Sequence, residues 1–206
     1  KQVDFLEDNP DFAICFHNMQ IIYEDEPHMH RISNVKQKGI TDIKTLALGN
    51  YIYTASCIFR KNFSEMPDWF NQCPVGDYPL HLLNAQYGKI KFINELMGVY
   101  RVHKGGVWGN TNVFHQREQW VKMIELIRDK FNNDTKKNLN KSLCNNSFKL
   151  AKYYLRNNNY EKYNFFLKKI INNNPNCLHK LATGSLLLTY FTKTKVMNKF
   201  NFKIFS

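Results

Sequence analysis

The sequence predicts an α/β domain over residues 1–112, followed by a basic α-helical extension over residues 113–206. Three observations point there. Strand-like runs alternate with helical segments through the first part. From Val113 onward apolar residues recur at helical spacing. The charge divides at nearly the same place: residues 1–110 hold 11 Lys/Arg against 12 Asp/Glu, and residues 111–206 hold the other 18 against 5. Such asymmetry suggests two parts with different roles, and the near-neutral part is where chemistry is expected.

With 206 residues, 43% apolar and 15% aromatic, the chain has enough material for one cored domain and an appendage. Five scattered cysteines (Cys15, Cys57, Cys73, Cys144, Cys177) include no C-x-x-C pair. They argue against a disulfide framework or a zinc site and read as reduced thiols. The run from Leu186 to Phe191 is far too short to span a bilayer. The opening KQVDFLEDNPD lacks the basic-then-apolar order of a secretory signal. A cytoplasmic location is therefore expected.

Residues 1–9 read as the last turns of a helix that stops at Pro10. FAICFHNMQIIY (12–23) is rich in β-branched and aromatic residues and reads as a strand. Residues 24–39 are polar and predict a surface loop; His28 and His30 there, with Glu24 and Glu26, lack a spacing that would make a metal site. Thr41 is placed to cap a short helix that Gly49 ends. YIYTASCIFR (51–60) predicts a second strand, and residues 62–74 an aromatic-bearing loop. A helix begins at Asp77 and ends by Gly88, and residues 89–93 and 97–102 predict two short strands. In the extension, residues 113–131 form an amphipathic helix with Trp120, Val121, Ile124, Ile127 and Phe131 on one stripe. An Asn/Lys-rich stretch follows. Residues 148–155 and 160–171 then predict a helix pair joined by Asn157-Asn158-Asn159, similar to a single degenerate tetratricopeptide-like hairpin, which must pack on something else.

Asp77 is the first candidate for chemistry. A carboxylate in the first turn of a helix is electrostatically favoured and, facing a cleft, can take a proton from an attacking hydroxyl. It can equally be the N-cap of its own helix. His81, four residues on, shares its helix face, but two side chains fall short of a metal site. His103 ends the last strand before a glycine-rich loop containing Trp108. One histidine cannot hold an ion, so any metal needs partners from elsewhere.

Two motifs, Gly76-Asp77-Tyr78-Pro79-Leu80 and Tyr100-Arg101-x-His103-x-Gly105-Gly106, resemble those of family 2 glycosyltransferases, inverting enzymes of the GT-A fold. The resemblance covers about residues 1–112 and is most specific in residues 4–18, 50–60 and 75–108. It implies a partial GT-A fold with a mixed sheet, namely the acceptor-binding half. The nucleotide-binding half, with its D-x-D motif, would precede Lys1. Asp77 would be the general base. His103 would help coordinate a divalent ion, Mn or Mg, on the nucleotide diphosphate. Arg101 and Lys104 would meet pyrophosphate charge, and the loop carrying Trp108 would close over the donor. Trp69 would stack on a sugar, while Thr54, Ser56 and Gly76 would line the acceptor side. The partners implied are a nucleotide-sugar donor and a glycan or lipid-linked acceptor, as in cell-surface polysaccharide or glycoconjugate synthesis. The alternative is a non-catalytic module that binds a glycan or a partner.

The basic extension has three readings: a solvated helical surface, peripheral docking to an acidic membrane at the inner face, or nucleic-acid binding. No helix-turn-helix, RNP-type or OB-type signature supports the last, so no specific nucleic-acid partner is expected.

Overall fold

The computed structural model describes residues 1–106 and 112–173. Its elements are α1 (Gln2–Asp8), β1 (Phe12–Tyr23), β2 (Arg31–Ile32), β3 (Ile40–Thr41), α2 (Ile43–Leu46), β4 (Cys57–Phe59), α3 (Asp77–Ala85), β5 (Lys89–Val102), α4 (Val113–Ile127), α5 (Asn133–Arg156) and α6 (Tyr160–Asn173). This is an α/β arrangement with a mixed sheet and a helical C-terminal region. Two compact units divide at Ser142/Leu143, inside α5.

In the first unit β1 is the central strand. It pairs in parallel with β5 on one side and antiparallel with β4 and β2 on the other, and β3 lines the far side of β5. Residues 12–19 of β1 are all buried. A strand covered on both faces shows a continuous apolar run rather than alternation, which is why FAICFHNM alternates only in part.

The two strands expected at residues 89–93 and 97–102 are one strand, β5, with irregular register. His17 pairs with Ile93, but Asn18 pairs with Leu96 and Met19 with Gly98. The surplus residues bulge out, which lets one long strand follow its parallel neighbour. Buried Asn18 secures the irregularity. Its Nδ2 donates to Asn94 Oδ1 at 2.6 Å, and its Oδ1 accepts from Ser33 Oγ at 3.1 Å and from the Asn34 amide at 2.9 Å.

Two other expectations are corrected. Most of residues 51–60 is not strand: Thr54–Ser56 is a 3-10 turn and only Cys57–Phe59 joins the sheet. The Ser56 amide and hydroxyl both donate to the Tyr53 carbonyl, at 2.8 and 2.7 Å, and this local closure displaces a ladder. Asp42, not Thr41, caps α2, with Oδ1 accepting from the amide and the hydroxyl of Thr45 at 2.8 Å each. The Thr41 hydroxyl is instead 2.7 Å from Tyr51 Oη. The Asn/Lys-rich stretch is also helical, as the first half of α5. Asn132 Oδ1 accepts from the Thr135 amide at 2.9 Å, and Thr135, Leu139, Ser142 and Leu143 give it a buried stripe, so packing overrides the poor propensity of Asn.

Within the first unit α4 packs on α3: the Trp120 and Tyr78 rings are 4.4 Å apart. In the second unit the Tyr154 and Phe166 rings stack, at 5.9 Å and 4°. Asn158 turns α5 into α6 with φ 57, a left-handed conformation that Asn tolerates. No helix among the described residues is long and apolar enough to cross a membrane.

The turn from α3 into β5 depends on Gly88. A Cβ there would lie 2.7 Å from the Asp11 carbonyl oxygen and 2.9 Å from the Ala13 nitrogen, both backbone atoms of the chain entering β1. Gly88→Ala is expected to destabilise the first unit by about 1–3 kcal/mol, the usual penalty of overpacking. Gly49→Ala, where nothing lies within 4 Å, should leave the urea midpoint almost unchanged. Equal midpoints for the two variants would show that the α3–β5 turn adapts.

Candidate functional site

The parallel strands β1 and β5 finish side by side, with Tyr23 opposite Val102 and the Glu24 amide donating to the Val102 carbonyl at 3.1 Å. In α/β sheets the crevice beyond the carboxyl ends of parallel strands is the usual ligand position. One face of the sheet there is aromatic. Ile21 is flanked in register by Arg31 of β2 and Tyr100 of β5, and in-register neighbours share a face. Tyr23, two residues along, lies on it too. The Tyr53 ring meets Tyr100 edge-on at 5.3 Å.

Tyr53 leads directly to Thr54, whose Oγ1 donates to Asp77 Oδ2 at 3.0 Å. Asp77 Oδ1 accepts from the Tyr78 amide at 2.7 Å. Asp77 is half-buried in the first turn of α3. Gly76 is the N-cap, so Asp77 is not a simple cap of its own helix. The structure thus brings together two residues expected from sequence, Asp77 and Thr54, against a tyrosine face that the sequence did not reveal.

The residues that follow Asp77 in the helix hold it in place. Tyr78 is fully buried, its hydroxyl donating to the Leu46 carbonyl at 3.1 Å, and burial pushes its phenol well above the ordinary range. One turn further, His81 is 1% exposed with Nε2 3.4 Å from Cys57 Sγ. Burial, then the Asp77 charge, pushes the Cys57 thiol up to about 11. Burial pulls His81 down to about 4, the nearby Asp77 opposing it. A neutral thiol and a neutral imidazole therefore lie beside the carboxylate. Tyr100 is also raised, by burial first and then by Tyr53, Asp77 and Tyr23.

The other sequence candidates are placed differently. Ser56 is a correction: it is 1% exposed and its hydroxyl is engaged by the Tyr53 carbonyl, so it does not line the face. A Cβ at Gly76 would lie 3.8 Å from the ring of Phe70, an ordinary contact. Trp69 is half-buried, with its ring 6.2 Å from Phe70 and 6.4 Å from Phe131. Arg101 pairs with Glu24 at 3.0 Å and Lys104 with Asp25 at 3.6 Å, so the acidic loop after β1 and the basic loop after β5 neutralise each other. Half-buried His103 lies between these cations in a turn closed by the Gly106 amide donating to the His103 carbonyl at 3.0 Å. Trp108 lies outside the described residues. Among the described residues no three His, Cys, Asp or Glu side chains gather as a metal-holding group. His103 therefore offers one imidazole without companions, and the described residues do not by themselves fit a divalent ion.

Several residues of the site went unrecognised in the sequence. Tyr53 and Tyr100 adjoin recognised positions, and alternation along β5 could have placed Tyr100 on the same face as Val102. Arg31 and Cys57 carry no linear signal, since they reach the site through β2 and β4 pairing with β1. A separate cleft of about 350 Å³, lined by Leu6, Phe59 and Asn62 among others, contains none of these groups.

No family model and no solved structure matches the chain. Uncharacterized proteins from Mycobacterium bovis and from two strains of Mycobacterium tuberculosis are each 32% identical to it over 110 residues. That stretch is 52% of this chain and 31% of each relative, so the chain spans about a third of the length of the curated relatives it matches.

Two outcomes follow from the buried pair. His81 has a folded value of about 4 against an ordinary 6.5. Its unfolded form gains a proton first, so stability is full above pH 6.5 and falls as the pH drops towards 4. The loss should reach about 3 kcal/mol across that window. His81→Leu should flatten this part of a urea-midpoint profile, and an unchanged slope would contradict the burial argument. Cys57 should react slowly with iodoacetamide at pH 8, because only about a thousandth of it is thiolate there. Asp77→Asn removes a charge that helps keep it protonated, and should speed its labelling, mapped by mass spectrometry, by roughly two- to fivefold.

Proposed function

We propose that residues 1–112 form the acceptor-binding half of an inverting, family 2-type glycosyltransferase of the GT-A fold. The enzyme would transfer a sugar from a nucleotide-sugar donor to a hydroxyl of a glycan or lipid-linked acceptor, in the synthesis of a cell-surface polysaccharide or glycoconjugate. One observation carries the reading. Asp77 stands at the start of α3 with one carboxylate oxygen held by Thr54 and the other by a backbone amide, and Tyr53, next to Thr54, meets Tyr100 near the carboxyl end of β5. A base must be positioned before it can be effective, and two donors fix this carboxylate while leaving lone pairs on both oxygens.

In this reading the acceptor hydroxyl gives its proton to Asp77 as its oxygen bonds to the anomeric carbon. The opposite bond, to the diphosphate oxygen, breaks and leaves its electron pair on the departing nucleotide. Attack from the face opposite the leaving group inverts the anomeric centre. Arg101 and Lys104 offer positive charge at the end of β5. Their present pairs with Glu24 and Asp25 are exposed and therefore weak, so a more highly charged diphosphate can compete for them. A divalent ion would supply further charge neutralisation on the diphosphate. His103 can give it one ligand, and the others would have to come from outside the described residues.

Asp77→Asn in the intact enzyme is expected to lower kcat by about 10²–10⁴, the range for loss of a general base, with little change in acceptor KM. Thr54→Val should produce a smaller loss, about tenfold, by freeing the carboxylate to rotate. An Asp77→Asn enzyme with an unchanged transfer rate would sink the base assignment and favour the rival reading of a binding module without turnover.

A further inference from the structure

The cleft contains a cation that the proposed reaction has not used. Arg31, on the short strand β2, extends towards Tyr53, with Nη2 3.5 Å from the Tyr53 hydroxyl. Tyr23 lies on the same sheet face, and it and Tyr53 raise the already high pKa of the guanidinium. Among the described residues no carboxylate forms an ion pair with Arg31, whereas the neighbouring Arg101 and Lys104 each have one. Tyr53 therefore holds a guanidinium that has no counter-ion among the described residues.

Its surroundings describe the missing partner. Arg31 shares the sheet face with Ile21, Tyr23 and Tyr100. Tyr53, which it contacts, precedes Thr54, and Thr54 holds Asp77. The Tyr53 and Tyr100 rings, 5.3 Å apart, offer apolar surface of the kind on which the C–H face of a sugar packs. A neutral sugar on those rings would leave the guanidinium solvated. An acidic sugar would satisfy it, because a planar fork of donors matches a carboxylate or phosphate in a bidentate manner.

We propose that Arg31, with Tyr23, Tyr53 and Tyr100, forms a subsite for an oxyanion carried by the acceptor sugar, such as a uronic acid carboxylate. The proposal rests on the glycosyltransferase reading for the word acceptor, but the recognition of an acidic sugar does not depend on turnover. The donor diphosphate is another source of an oxyanion. The placement favours the acceptor, since Arg31 is joined through Tyr53 to the residue that holds the base, while Arg101 and Lys104 at the end of β5 pair with Glu24 and Asp25.

The test is a chemical-shift titration of the whole 206-residue chain at low ionic strength, suited to millimolar affinities, with glucuronate, glucose and uridine diphosphate as separate probes. Glucuronate should bind about tenfold tighter than glucose, as expected for one charge-assisted pair. Arg31→Gln should erase that ratio and leave glucose binding as it was. Arg31→Lys, which keeps the charge but loses the fork, should fall between, and it serves as the readout if Arg31→Gln proves unfolded by circular dichroism. Equal affinities for the two sugars, undetectable binding of glucuronate, or a ratio untouched by either variant would each overturn the proposal. So would loss of uridine diphosphate binding alone in Arg31→Gln, which would assign the cation to the donor. Failure of the Asp77→Asn rate experiment would leave an Arg31-dependent preference standing, so the two ideas fail separately.

Discussion

The parallel pairing of β1 with β5 is the constraint from which the rest of the first unit follows. β1 is buried on both faces over residues 12–19, so every other strand must take its place beside it or beside β5. A parallel partner needs a long crossover, and residues 24–88 supply it. Most of that connection is irregular, with only short strands, short helices and 3-10 turns between β1 and α3. Its positions are fixed at a few points: β4 against Ile14–Phe16, β2 against Gln20–Ile21, and Ser33–Asn34 on the buried amide of Asn18. These attachments all refer back to β1, so the crevice at its carboxyl end is assembled from sequence-distant pieces.

Within that frame α3 delivers one carboxylate. Its position is set by apolar and aromatic burial rather than by ion pairs. Tyr78, the next residue, is enclosed by Trp120 and bonded to Leu46, and His81 is sealed one turn later. The ion pairs near the crevice, Arg101–Glu24 and Lys104–Asp25, are exposed and contribute little to stability. The division has a chemical use. In the proposed reaction the groups that would have to stay fixed are held by packing, and the charges that would change partner when an anion arrives are held loosely.

Much of this was legible in the sequence where local signals and tertiary context agree. The strand at residues 12–23, the helix at Asp77 and the Asn-rich turn at residues 157–159 all have composition that suits their place. The reading failed where long-range pairing decides. One long β5 was divided in two because a bulge fixed by Asn18 cannot be seen from β5 itself. The run at residues 51–60 has strand composition, yet the Ser56 hydroxyl and amide close a turn on Tyr53. The same turn removes Ser56 from the cleft and presents Thr54 to Asp77 instead. Asp77 lies in a motif legible in the sequence, and Thr54 lies in the 50–60 segment that shares the same resemblance. Arg31 carries no such signal, since it reaches this face only by pairing with Ile21 across two strands.

The electrostatic setting of Asp77 gives the candidate site its chemical direction. Asp77 acts on both Cys57 and His81, and burial keeps each of those groups neutral, with values of about 11 and about 4. Neither can serve as its counter-ion near neutral pH. Its two contacts are hydrogen bonds from a hydroxyl and a backbone amide, neither of which carries a full charge. A carboxylate held by two neutral donors is oriented but not neutralised, unlike Glu24 and Asp25 in their ion pairs. In the proposed reaction such a group would take the proton of an acceptor hydroxyl brought against it. The difference between Asp77 and the acids of the neighbouring loop is therefore one of partners as well as position, and it follows from which side chains the β1–β5 frame leaves buried around α3.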